Sequence, residues 1–315
     1  KVVDRRHIRV KVMQSIYAMH QNGADNLEKE EKFLFYSIDN ILDLYLTMVS
    51  SLLEICKKEQ IFLHLSSQKH LATPQERKPN EKFIKNAVFQ ILAENNSLSI
   101  AMENRKINNW SLNDDYIIIL LNAIKESKLY AKYMSNTVNT FEEDKDFIAA
   151  IFEEIIVPNE KLYEYLEDDK LTWIDDIPMV NTQILKQLKA LKPLEEDNFR
   201  VPKLYKDTED KDFVRDLFRK TVLNEKELAK TYDDKTPNWD SDRIAEVDTI
   251  ILKMAICEFL KFPSIPVKVT LNEYLEIAKE YSTPKSSIFI NGILDNLVKE
   301  LTESKKLVKV GRGLM

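Results

Sequence analysis

Residues 144–176 and 210–242 repeat each other at a constant offset of 66, and this duplication limits what the 315-residue chain can fold into. The first copy opens DKDFIAAIFEE and the second DKDFVRDLFRK. Nine of 33 positions are identical: Asp144, Lys145, Asp146, Phe147, Phe152, Leu162, Asp168, Trp173 and Asp176 with their counterparts. Unrelated sequences of ordinary composition would share about two. The match resumes one residue out of step, where Thr182, Ile184, Leu185 and Lys186 answer Thr249, Ile251, Leu252 and Lys253. A fainter third copy runs from Phe83 through Trp110 into 116–124. Each copy reads as an apolar helix carrying a Phe pair, a short helix with its own Leu, then a Trp leading into a third helix. One such unit cannot bury its apolar face alone, whereas stacked copies can, so the Phe and Trp residues are expected as packing anchors.

Composition fixes the class. Only four glycines occur in 315 residues, so the Gly-rich turns of dinucleotide and phosphate-binding folds are absent and an all-α fold is expected. The uncharged apolar run at 116–124, nine residues long, falls short of the roughly 18 needed to span a bilayer. No signal-peptide pattern is present, so a cytoplasmic protein with no membrane contact is expected, and Lys1 in place of Met implies a trimmed start. Cys56 and Cys257 sit in separate helix-periodic apolar stretches and read as reduced core thiols. The net charge of −6 hides an asymmetry: the first eleven residues carry +4, the last fifteen +3, and the rest −13. Basic ends on an acidic body point to a polyanionic partner. The acidic stretch 142–176 reads as a solvated face.

Along the chain, Ile8, Val12, Ile16 and Met19 form the inward stripe of a helix over 6–20. Arg5, Arg6, Arg9 and Lys11 lie at its start or off that stripe, so replacing the arginines is expected to spare the fold. A long helix over 28–60 presents Phe33, Tyr36, Ile41, Leu44, Met48, Leu52 and Ile55 on one face, and 66–80 is a loop. A helix over 240–261 stops before Pro263. The next begins near Pro266 and buries Val267, Leu271, Leu275 and Ala278. Thr283 caps a last one, with Pro284 in its first turn and Phe289, Ile293, Leu297 and Leu301 inward.

Four segments in this order, RRHIRVKVMQSIYAM, ILKMAICEFL, IPVKVTLNEYLEIAK and IFINGILD, resemble the NusB family of bacterial transcription antitermination factors, in the long Bacteroidetes-type form with a helical insertion. The resemblance divides the chain into N-terminal NusB-like helices (1–60), a helical insertion containing the internal repeat (61–209), a C-terminal NusB-like bundle (210–303) and a basic tail (304–315). It implies two small helical bundles, no catalysis and no cofactor. It also implies a factor that pairs with NusE, a small-subunit ribosomal protein. Together they would bind boxA-type single-stranded RNA in nascent rRNA transcripts and help RNA polymerase read through terminators. The RNA contacts implied are Arg5, Arg6, Arg9, Lys11, Lys285 and Phe289, with His7 standing where another arginine is common. The NusE contacts implied are Asp242 and Asp248. The residue chemistry agrees: guanidinium groups at a helix N-terminus suit phosphate, aromatic faces stack on unpaired bases, and acids complement a basic ribosomal protein. Phe289 also fits a core position, either Asp fits a helix-terminal acid, and Asn291 and Gly292 fit a close helix crossing.

Two rivals remain. NusB-like domains also open ribosomal-RNA cytosine methyltransferases, but those need a doubly wound cofactor domain and a nucleophilic cysteine. Neither the glycines nor the chain after 303 supplies them. His7, His20, His64 and His70 are scattered, with no HExxH or other metal-ligand spacing. The other rival is a helical protein-interaction scaffold without RNA binding, which the net acidity favours and the retained arginines oppose.

Overall fold

The structure, a computed structural model, describes residues 1–193, 198–235 and 244–311. Among the described residues it has sixteen α-helices and no strand, so the chain is all-α. Two compact units form: Val3–Ile38 with the chain from Tyr205 onward, and Asp39–Leu204 with Val2. The first division, at 38/39, lies inside a helix.

Helix α1 (Arg5–Asn22) starts at Asp4, whose carboxylate accepts the His7 N–H at 2.8 Å, and ends at Gly23, whose φ of 61° is the left-handed turn that glycine adopts without strain. Ile8, Val12, Ile16 and Met19 are all buried, as their spacing required. Helix α2 (Leu27–Ser67) has 41 residues and is about 60 Å long. Its portion beyond Asp39 is the spine of the second unit, hereafter the insertion unit.

The insertion unit continues with α3 (Pro74–Arg77), α4 (Ala87–Glu94), α5 (Asn96–Asn104), α6 (Asn109–Leu112), α7 (Asp114–Lys125), α8 (Lys128–Ser135), α9 (Phe141–Ile151), α10 (Glu160–Asp169) and α11 (Ile177–Lys189). The expected loop at 66–80 contains the single turn α3, because Thr73 and Glu76 form a reciprocal capping box ahead of Pro74. Trp110 donates its Nε1–H to the Thr47 carbonyl at 2.9 Å, and Trp173 donates to the Asn40 carbonyl at 2.8 Å. The two acceptors are seven residues apart on α2, about two turns, so two repeat copies anchor on one helix face in register.

The other unit adds α12 (Thr208–Leu223), α13 (Glu225–Asp233), α14 (Glu246–Lys261), α15 (Val267–Tyr281) and α16 (Pro284–Glu303). Helices α9, α10 and α11 recur in order as α12, α13 and α14, and the paired Phe147/Phe213, Phe152/Phe218, Leu162/Leu228 and Ile184/Ile251 are buried in both. Trp239 lies outside the described residues. Helix α14 packs on α1, α12, α13, α15 and α16, which explains its burial on nearly every side, Cys257 included. His20 ties α1 to α13 and α14, its ring nitrogens each 2.8 Å from a carboxylate oxygen, of Glu225 and of Glu246. Thr283 accepts the Ser286 N–H at 3.1 Å and caps α16 as expected.

Three sequence expectations about faces are corrected. On α2, Ile41, Leu44, Met48, Leu52 and Ile55 are buried, but Phe33 and Tyr36 are 49% and 53% exposed. At about 100° per residue, Tyr36 lies about 120° round the helix from the mean of the buried five. On α15 the fully buried residues are Thr270, Tyr274, Ile277 and Ala278, a face shifted from the one expected. Gly292 faces open space, with nothing within 4 Å of a Cβ built on it, so it serves no close crossing.

Candidate nucleic-acid interface

The first turns of α1 and the N-terminus of α15 face one cleft of about 460 Å³, lined by Asp4, Arg5, Arg6, Arg9, Ser264, Ile265, Pro266, Val269 and Glu273. The cap residue of α15 is Pro266, which offers no side-chain hydrogen bond. The positive end of the α15 dipole therefore opens on the cleft, a favourable position for an anion.

Each arginine has a carboxylate partner far away in sequence. Arg5 donates Nε–H to Asp210 at 2.9 Å, and its guanidinium lies 4.7 Å from the Phe213 ring centroid. Arg6 grips Glu273 with two bonds, Nε to Oε2 at 2.7 Å and Nη2 to Oε1 at 3.1 Å, and its side chain remains 48% exposed. The hydrogen bond to Glu273 raises the Arg6 pKa above its ordinary value. Arg9 differs in kind. Its side chain is 2% exposed and donates to Glu258, itself 0% exposed, through Nε at 2.9 Å and Nη2 at 2.8 Å. Burial alone would lower the Arg9 pKa, but the hydrogen bond and charge of Glu258 outweigh it and the net direction is upward. Tyr274 also donates its hydroxyl to Glu258, Thr270 donates at 3.2 Å, and Lys309 donates to the Glu258 carbonyl at 2.9 Å. Burial, then the charge of Glu258, hold the Tyr274 pKa well above the usual phenol value.

The arginines thus arrive together, as the sequence implied, but with matched charge. Asp210, Glu258 and Glu273 were absent from the sequence-derived site. Glu258 left a trace, being the sole acid in the apolar run ILKMAICEFL; Asp210 left another, as the repeat counterpart of Asp144.

Other expected contacts fall elsewhere. Lys11 is buried, so neither it nor Arg9 presents a charge to solvent, which corrects the set of exposed cations implied by the resemblance. Lys285 is exposed in the first turn of α16 and Phe289 is half-buried; neither lines the arginine cleft. Asp248 is buried and accepts the Ser282 hydroxyl, which removes it from an exposed partner surface. Asp242 lies outside the described residues. Among the described residues no group of His, Cys, Asp and Glu could hold a metal ion, and no helix is long and apolar enough to cross a membrane.

Comparison with known proteins fits this arrangement. The NusB family model matches residues 179–299, from within α11 to within α16, and includes every carboxylate partner of the three arginines. The transcription antitermination protein NusB of Salinibacter ruber is 42% identical over 116 residues, 37% of this chain and 72% of that protein. The chain belongs to the NusB family. The namesake protein of Chloroherpeton thalassium is 38% identical over 109 residues, 35% of this chain and 52% of its own length. Among solved structures, NusB of T. maritima is 31% identical, covering 40% of this chain and 80% of its own, with a TM-score of 0.30. The family match begins in α11. Residues 1–178, with the arginine start, lie outside the matched span.

Proposed function

We propose that this NusB-family chain is a cytoplasmic, non-enzymatic transcription antitermination factor that binds RNA. With NusE it would bind boxA-type single-stranded RNA in nascent rRNA transcripts and promote read-through by RNA polymerase. The observation that carries this reading is the convergence of Arg5, Arg6 and the α15 N-terminus on one open cleft. Arg5 and Arg6 are its phosphate ligands, with Lys285 and Phe289 contributing on α16. Arg9 is a positioning residue that holds α1 against α14 and α15. Asp242 is a NusE contact. Because each arginine already has a carboxylate, a phosphate must share or displace it, so the isolated protein binds RNA modestly and a basic partner strengthens binding.

One observation favours a second reading. The complete pairing of the three arginines is also what a helical interaction scaffold without RNA binding would need for stability alone. Arg5→Ala/Arg6→Ala decides between them, measured by fluorescence anisotropy with a boxA-like single-stranded RNA across a salt series, with and without NusE. Loss of two phosphate contacts lowers affinity and reduces the salt slope by up to about 1.4. Unchanged affinity and slope would leave the scaffold.

A further inference from the structure

The first three turns of α2 carry a surface the fold does not use. Lys29, Lys32, Phe33 and Tyr36 follow i, i+3, i+4, i+7 spacing, so they share one helix face, and all four are exposed. The two rings lie side by side with centroids 6.3 Å apart and planes inclined by 42°. Phe33 is the one phenylalanine with large exposure among the described residues. Neither lysine has a carboxylate within ion-pair distance among the described residues.

Of the nearby acids, Asp25, Glu28 and Glu30 make no ion pair with either lysine, and Glu31 and Asp39 are bonded elsewhere. Glu31 is buried and clasped by Arg219, with bonds of 2.8 and 2.7 Å. Glu28 adds to the negative field on that same arginine. Asp39, one turn beyond Tyr36, is held by Arg105 at 2.8 Å. The face therefore combines two ammonium groups that are outside ion-pair distance of any carboxylate among the described residues with two half-exposed rings. Lysines that attract a phosphate backbone, interleaved with rings on which bases stack, fit a single-stranded nucleic acid. A basic protein partner would be repelled by Lys29 and Lys32, and a purely apolar partner would leave both ammonium groups to be desolvated without compensation.

We propose that Lys29, Lys32, Phe33 and Tyr36 form a second single-stranded RNA contact on α2, where bases stack on the ring pair while the lysines hold the flanking phosphates. This rests on the RNA-binding reading of the arginine cleft and extends it to a surface with unpaired cations. The cleft supplies guanidinium groups already tied to acids; the α2 face supplies ammonium groups that are not. It adds aromatic faces, which the cleft lining lacks.

The test uses the full chain and a fluorescein-labelled 20-nucleotide single-stranded RNA of mixed sequence, read by anisotropy over a salt series. Phe33→Ala/Tyr36→Ala is expected to weaken binding about tenfold, within the range for loss of one stacked base, with the salt slope unchanged. Lys29→Ala/Lys32→Ala is expected to weaken binding and flatten the slope by up to about 1.4. Circular dichroism stays at wild-type values for both; the melting temperature is unchanged for the lysine variant and falls slightly for the ring variant, whose rings are half-buried. A photocrosslinking phenylalanine analogue at position 33 should capture the RNA. If wild-type protein binds RNA, Arg5→Ala/Arg6→Ala weakens it and the α2 variants do not, this proposal fails while the cleft reading stands. If wild-type protein binds no RNA at low salt, both fail. If the ring variant keeps RNA affinity but loses NusE, the face is a protein contact and the proposal is overturned.

Discussion

Arg9→Ala is the sharpest perturbation available, because Arg9 looks like a surface cation in the sequence and lies fully inside the fold. Its removal strands the Glu258 carboxylate, which keeps the Tyr274 and Thr270 hydroxyls as donors but loses its counter-charge. Two charge-assisted hydrogen bonds at about 1.5–3 kcal/mol each and the general cost of breaking a buried pair, about 3–5 kcal/mol, agree on a loss near 4 kcal/mol. Against a typical stability of about 5–15 kcal/mol, that is severe. At about 2–4 °C per kcal/mol for a unit of this size, the melting temperature should fall by about 8–16 °C. Arg6→Ala, which breaks a partly exposed pair, should cost about 1 kcal/mol or less, whereas Arg5→Ala strands the buried Asp210 carboxylate and should cost about 1–3 kcal/mol. Urea denaturation followed by circular dichroism gives all three values. Arg9→Met/Glu258→Leu, which removes both charges, should recover most of the loss. An Arg9→Ala protein within 1 kcal/mol of wild type, or a double variant no better than Arg9→Ala, would refute the buried-pair assignment. A combined replacement of Arg5, Arg6 and Arg9 therefore cannot serve as an RNA-binding probe, contrary to what the sequence alone recommends.

Burial pushes the Cys56 and Cys257 thiols up to about 11. At pH 8 only about 0.1% of each is then thiolate, against about a quarter for an ordinary thiol near 8.5, so iodoacetamide should label the native protein far more slowly than the urea-unfolded one. Because the folded state holds these protons more tightly, their contribution to stability is complete below about pH 8.5 and declines as pH rises toward 11, which urea titrations at pH 8 and 10 can check. Gly292→Ala should stabilise the protein by about 0.5–1 kcal/mol, since the position is mid-helix with open space at the missing Cβ; a destabilised variant would show that the glycine serves a contact. Asp248→Lys should lower the melting temperature as well as any partner binding, because the side chain is buried against Ser282; a fully stable variant would return Asp248 to the surface.

Local signals carried the helices. Asp4, Thr283 with Pro284, and Pro263 set helix ends through interactions spanning three or four residues, so those ends were legible. The α1 stripe was legible for the same reason, since a 3.6-residue period is local. The partners of Arg5, Arg6 and Arg9 were not, because each contact joins residues more than 200 positions apart and no spacing rule links them. Phe33 and Tyr36 were misassigned because hydrophobicity was read as burial. For Tyr36 the angular distance of about 120° from the stripe of Ile41 to Ile55 contradicts that and is computable from the sequence; Phe33 lies at the edge of the stripe, and its exposure is not.

The duplicated acid shows how one motif position can be turned to two ends. Asp144 and Asp210 occupy the same place in the two copies, and both are buried near a helix start. In the insertion unit, Asp144 is closed off by local donors: the Ala87 N–H at 2.9 Å and the Tyr133 hydroxyl at 2.6 Å, with Asn86 donating to its carbonyl at 3.1 Å. Tyr133 stacks in parallel on Phe147 at 3.9 Å, which seals the site further. In the other unit, Asp210 takes Arg5, and Phe213, the counterpart of Phe147, lies under the Arg5 and Arg9 guanidinium groups. The same Asp–x–x–Phe arrangement thus stacks an uncharged ring in one copy and orients cations in the other. Only the copy packed on α1 has arginines to orient. The arginine cleft therefore depends on the pairing of α1 with α12, while in the insertion copy the same acid and ring are already held by Ala87 and Tyr133.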